Sequence, residues 1–63
     1  MSKLKERREE LRLTQRQVAE KIGIKYQVYQ KYESNFRIPT VYVAVKIASA
    51  LNTTVEKLYP LEG

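Results

Sequence analysis

The chain has no cysteine, no histidine and no tryptophan among its 63 residues, and only two glycines and two prolines. Each absence removes a class of function. Without cysteine there is no disulfide to staple the fold, no thiolate ligand or nucleophile, and no sign of an oxidising compartment. Without histidine as well, the usual general base is missing, and the acidic residues fall mostly on an N-terminal helical face. We therefore expect no catalysis, no metal, no cofactor and no small-molecule ligand. No apolar run approaches the roughly 20 residues of a membrane span. The opening "MSKLKERREE" is charged from the start, unlike a signal peptide. The expectation is a soluble, cytoplasmic protein of one domain, residues 1–63, small enough to bury only about 60% of the surface its unfolded chain exposes.

Acidic residues are also scarce: seven Asp and Glu against twelve Lys and Arg, for a net charge of +5. The excess is local. Up to Arg37 there are ten basic and five acidic residues, while Ile38 to Gly63 holds two of each. Such an asymmetry suits a face that meets a polyanion, with the remainder free to fold and pair.

With so few breakers and no cleanly alternating β-branched run, the chain reads as five short helices joined by tight turns, an all-α domain. The first spans about Leu4 to Leu11, with Ser2 as N-cap and a thin face of Leu4, Arg7, Arg8 and Leu11. Thr14 followed by Gln17 is a capping-box pattern that opens the second helix. Val18, Ala19 and Ile22 mark its buried face, and Gly23 supplies a left-handed stop. A third helix follows at once over Ile24 to Glu33. Two short helices at a glycine-containing turn outline a helix-turn-helix at about residues 14–33. The fourth is expected to start near Pro39, with Val41, Ala44, Val45, Ala48 and Leu51 as its core face. Asn52 would end it, and Thr54 would cap a last helix over Val55 to Tyr59.

The third helix carries the functional question. Stepping round it by about 100° per residue from Tyr26 gathers Val28, Tyr29 and Tyr32 into one apolar arc and leaves Gln27, Gln30 and Lys31 with Tyr26 on the opposite one. Tyr29 and Tyr32 should face the core, while Tyr26, Gln27, Gln30 and Lys31 face out. Amides and a lysine suit the DNA major groove, where an amide pairs with adenine N6 and N7 and a lysine reaches guanine or phosphate. These four are the candidate base contacts, and side chains near the N-terminus of such a helix usually make them.

The stretch "LTQRQVAEKIGIKYQVYQKYESNFRIPTVYVAVKIASALNTTVEKLY" resembles the Cro and phage-repressor (XRE) type of helix-turn-helix protein, with a match covering about Leu4 to Tyr59. The residues that carry it are Leu13-Thr14-Gln15, Val18-Ala19 and Gly23; then Tyr29, Tyr32, Glu33 and Asn35; then Pro39, Ile47-Ala48 and Leu51. The resemblance implies a lambda-repressor-like fold and a small DNA-binding transcriptional regulator, like Cro-like phage proteins, restriction-modification controllers or plasmid and prophage repressors. It implies that Gln15 binds a DNA phosphate, which agrees with the free N–H groups at a helix N-terminus; Thr14 and Arg16 are expected to join it. It also maps loop contacts onto Ser34, Asn35, Phe36 and Arg37, with Arg37 as a phosphate clamp. Finally, it pairs Glu33 with Arg8 as a structural ion pair.

Some positions depart from the family pattern. Lys25 stands where Ser or Thr often caps the recognition helix, weakening the cap but placing a cation near the groove. Asn35 and Asn52 replace glycines, and asparagine also visits the left-handed region. Tyr29 and Tyr32 are bulkier than the usual aliphatic pair, so their hydroxyls need partners or water.

A single recognition helix reads few base pairs, so the expected assembly is a symmetric homodimer on a pseudo-palindromic operator. Its interface is expected at Tyr42, Val43, Leu58, Tyr59 and Leu61. The chain's end four residues after Tyr59 suggests a minimal regulator with no sensor or cleavable domain. The competing reading is a helix-turn-helix module that binds a protein instead of DNA, since a fold does not fix a function.

Overall fold

The capping box at Thr14 forms as its spacing predicts: the Thr14 hydroxyl accepts from the Gln17 N–H at 3.1 Å, and the Gln17 side-chain oxygen accepts from the Thr14 N–H at 2.7 Å. In the computed structural model, which describes residues 2–61, this box opens the second of five helices. They are α1 (Leu4–Glu10), α2 (Gln15–Ile22), α3 (Tyr26–Glu33), α4 (Val41–Ala50) and α5 (Val55–Leu58), with no strand among the described residues. α2 packs on α3 and α4, α1 on α3, and α5 on α4. The core they enclose comprises Leu4, Val18, Ala19, Ile22, Tyr29, Tyr32, Ile47, Ala48, Leu51 and Leu58.

Between α2 and α3 the chain turns on Gly23, whose φ of 72° is left-handed. A Cβ there would meet nothing within 4 Å, so the turn asks for glycine through its backbone conformation alone. Asn35 (φ 63°) and Asn52 (φ 54°) take the same region after α3 and α4. Arg12 (φ 57°) does so too, between α1 and α2.

Several expected details resolve differently. Ser2 is not the N-cap of α1. That position is Lys3, which makes no side-chain cap bond; instead its backbone N–H donates to the Leu58 carbonyl at 2.8 Å, tying the start of α1 to the end of α5. Leu11 lies beyond α1 and is exposed. Pro39 is buried ahead of α4, and the helix is capped by Thr40, whose hydroxyl accepts from the Val43 N–H. The buried arc of α4 is Ala44, Ile47, Ala48 and the following Leu51, whereas Val41 and Val45 are 82% and 53% exposed. A helix reading VYVAVKIASA is apolar nearly all round, so its periodicity does not say which stripe turns inward. Packing against α2 and α5 decides that.

Arg7, counted in the sequence as part of the face of the first helix, reaches the C-terminus of α4. Its Nε donates to the Leu51 carbonyl and its Nη2 to the Asn52 carbonyl, each at 2.9 Å. Those carbonyls have no partner within their own helix, and a cation is favoured at that end of the helix dipole.

Candidate nucleic-acid interface

The scaffold under α3 is a buried ion pair. Arg8 from α1 grips Glu33 at the end of α3 through two bonds, Nε to Oε2 at 2.6 Å and Nη2 to Oε1 at 3.1 Å. The two side chains are only 11% and 4% exposed. Arg8 also donates to the Leu13 carbonyl at 2.8 Å, and Gln15 donates from Nε2 to Glu33 Oε1 at 3.0 Å. α1, the N-terminus of α2 and the C-terminus of α3 are thus locked around one carboxylate. Burial opposes ionisation of Glu33, but the bonds from Arg8 and Gln15 and the nearby Tyr29 outweigh it and hold the carboxyl below its ordinary value. The Arg8 guanidinium is correspondingly raised, first by its bond to Glu33.

Tyr29 and Tyr32 are buried, as the wheel requires. The Tyr29 hydroxyl lies beside Glu33 without hydrogen-bond geometry to it. Burial first, then the neighbouring carboxylate, push that phenol far above its ordinary value.

On the outward side, Gln27, Gln30 and Lys31 are exposed and Tyr26 is partly exposed. The four sequence-expected base contacts therefore share one face of α3. The Tyr26 hydroxyl accepts from Gln30 Nε2 at 2.9 Å, and the Arg16 guanidinium lies over the Tyr26 ring, 4.2 Å from its centroid. Lys31 sits near the Phe36 ring at 5.9 Å. Gln27, Gln30, Lys31, Ser34 and Phe36 line an open cleft together with Gln15, Glu33 and Lys5 of α1. No sequence pattern singles out Lys5. It lies on the solvent side of the first helix in a run of charges, and only the packing of α1 against α3 brings it to this surface.

Two groups of donors flank that face. At one end Arg12, Thr14, Gln15 and Arg16 line a shallow basin beside Tyr26. The capping box occupies the Thr14 and Gln17 N–H groups, leaving those of Gln15 and Arg16 as free donors at the positive end of α2. No sequence pattern singles out Arg12 either, because its place in a left-handed turn leaves no trace in residue type. At the other end the chain folds back over α3, with the Phe36 and Arg37 N–H groups both donating to the Lys31 carbonyl. Ser34 donates from its hydroxyl to the same carbonyl. Ser34, Asn35, Phe36 and Arg37 are all exposed there. Lys25, exposed at the N-cap of α3, makes no cap bond, which leaves its charge at the surface. Among the described residues no cluster of potential metal ligands occurs, and no helix is long and apolar enough to cross a membrane.

The residues expected at a dimer interface do not share one environment. Tyr42 and Leu61 are 74% and 100% exposed. Leu58 is a core residue, and Val43 and Tyr59 pack partly against that core. The Tyr59 hydroxyl is buried without a partner, and burial pushes its pKa up, with Tyr32 adding to the effect.

These elements make a helix-turn-helix supported by a buried Arg–Glu clamp, with amides and a lysine outward and basic donors on both sides. A helix-turn-helix family model matches residues 4–58, and the chain belongs to that family, of the XRE type. Among curated proteins it is similar to the cryptic phage CTXphi transcriptional repressor RstR of Vibrio cholerae serotype O1 (strain ATCC 39315 / El Tor Inaba N16961), 43% identical over 60 residues. The alignment covers 89% of this chain and 54% of that repressor, so the chain spans about half the length of the relative it matches.

Proposed function

We propose that the protein is a transcriptional repressor that binds double-stranded DNA as a homodimer, inserting α3 into the major groove of a pseudo-palindromic operator. The carrying observation is the single outward face of Tyr26, Gln27, Gln30 and Lys31, set between two groups of phosphate-directed donors. Base edges are read by Gln27, Gln30 and Lys31 with Tyr26, the residue types the groove's donor and acceptor pattern calls for. Thr14, Gln15, Arg16 and Lys25 on one side, and Ser34, Asn35, Phe36 and Arg37 on the other, hold the two phosphate backbones and fix register. Arg12 and Lys5 extend those two groups. Such a protein works where the DNA is, in the cytoplasm of a prokaryotic cell. Repression, rather than activation, follows the role of the CTXphi relative.

For the dimer contact the side chains available are Tyr42 and Leu61, joined by Val41 and Val45, because these are apolar and exposed while Leu58 is not. They lie in the part of the chain where charge balances, so two copies meet without repulsion. The test is selection of bound sites from random duplexes followed by titration at several salt concentrations. A two-fold repeated motif, with half-site centres about 10 base pairs apart and affinity falling steeply with salt, is expected. Absence of any enriched sequence would leave the protein-binding alternative.

A further inference from the structure

Tyr26 stands on the outward face as a base contact should, yet both ends of its side chain are already engaged. Arg16 of α2 covers the ring at 4.2 Å, and the hydroxyl oxygen takes a hydrogen bond from Gln30 Nε2 at 2.9 Å. The result is a relay of three side chains from the N-terminus of α2 to the middle of α3. A glutamine on a solvated helix face ordinarily samples several rotamers and both amide orientations, and ordering it is a cost of binding. Here the amide nitrogen is turned to Tyr26, which leaves Oε1 and the second N–H for a ligand. Those two groups together are the acceptor and donor that adenine N6 and N7 require.

We infer that Tyr26 is a positioning residue, clamped by Arg16, which sets the Gln30 carboxamide for bidentate recognition of one adenine. The inference rests on the major-groove reading proposed above and refines it by taking Tyr26 out of the set that reads bases: Gln30 reads the base, Tyr26 orients that reader, and Arg16 links it to the phosphate basin of α2. Since Arg16 lines that basin and also stacks on Tyr26, seating a phosphate there and aligning the amide are coupled through one guanidinium. A flat, delocalised guanidinium suits this double duty. An ammonium carries the same charge but covers a ring less well. The Tyr26–Gln30 bond is solvent-exposed, so its purpose in the folded protein is orientation more than stability.

The experiment measures binding of the selected operator and of duplexes carrying each single base-pair change, for wild type, Tyr26→Phe, Gln30→Ala, the double variant and Arg16→Lys, with thermal melting to confirm that each is folded. Tyr26→Phe is expected to reduce discrimination at one A·T pair by about fivefold or more, at the same pair that Gln30→Ala affects. The double variant should discriminate no worse than Gln30→Ala alone, the signature of two residues acting through one contact. Arg16→Lys should lose part of the discrimination at that same pair. Tyr26→Phe with an unchanged preference there overturns the inference, as does an additive loss at a different pair, which would make Tyr26 a reader in its own right. A wild type that enriches no sequence at all removes the proposed function itself, and that outcome is visible before any variant is made.

Discussion

At the scale of single residues, Glu33 carries the most structural consequence. One carboxylate receives Arg8 twice and Gln15 once, so removing it strands a nearly buried guanidinium and frees the amide at the start of α2. Glu33→Ala should lower stability by about 3 kcal/mol, read as a fall in the melting temperature. The acid behaviour follows from the direction of its pKa. A carboxyl depressed in the folded state stabilises fully above its ordinary value of 4.5 and loses that contribution as pH falls below it through the folded value. Melting temperature should therefore drop below about pH 4.5 in wild type, with a shallower drop for Glu33→Gln. On the proposed DNA face, the two kinds of contact should separate. Gln27→Ala is expected to cost about 1–3 kcal/mol of specific binding and relax preference at one base pair. Arg37→Ala should weaken binding to all sequences alike and flatten the salt slope by about one unit. An altered base preference in Arg37→Ala, at constant general affinity, would contradict its phosphate assignment.

At the scale of helices, the ends explain more than the middles. α2, α4 and α5 begin at Thr14, Thr40 and Thr54, each accepting from a backbone N–H three residues on. All three caps are threonines, and two of them are legible as caps in the sequence alone. The third is hidden because Pro39, a residue suited to a first turn, lies just ahead of Thr40. Gly23 is legible for a like reason: glycine takes left-handed backbone angles at the least cost. Gly23→Ala should cost about 1 kcal/mol from conformation alone, since space for the methyl exists, and should loosen the angle between α2 and α3. Melting and operator affinity would both report it. The Arg7 cap on α4, by contrast, spans 44 and 45 positions of sequence. Arg7→Ala should lose about 1–2 kcal/mol by stripping two carbonyls of a charged donor. A variant that melts like wild type would show that water replaces the guanidinium without loss.

At the scale of the molecule, charge and apolar surface divide the work. The positive excess lies in the stretch up to Arg37 and surrounds α3, while the exposed Val41, Tyr42, Val45 and Leu61 come after it. A domain whose ten-residue core cluster joins all five helices has little stability in reserve, and a second copy would add both buried area and DNA contacts. Sedimentation at micromolar concentration should give a dimer. Leu61→Glu or Tyr42→Glu should shift it toward monomer and weaken operator binding, because each places a charge where apolar groups would meet. A wild type that stays monomeric and binds one asymmetric site at full affinity would refute the symmetric assembly.

By itself the sequence determined the five helices, the turn at Gly23, the capping threonines at 14 and 54, and the division of α3 into a tyrosine face and an amide face. These follow from local rules: backbone angles only certain residues adopt, donors that need an acceptor three residues away, and a fixed angular step from one helical side chain to the next. Through its family resemblance it also paired Arg8 with Glu33. Only the tertiary structure decided which stripe of α4 is buried, because an almost uniformly apolar helix carries no phase until its neighbours pack. Only the tertiary structure tied Lys3 to Leu58 and Arg7 to the end of α4, brought Lys5 and Arg12 beside the recognition surface, and laid Arg16 over Tyr26. Those contacts join residues on separate elements, and their partners are set by the angles at which the helices cross, which no local pattern encodes.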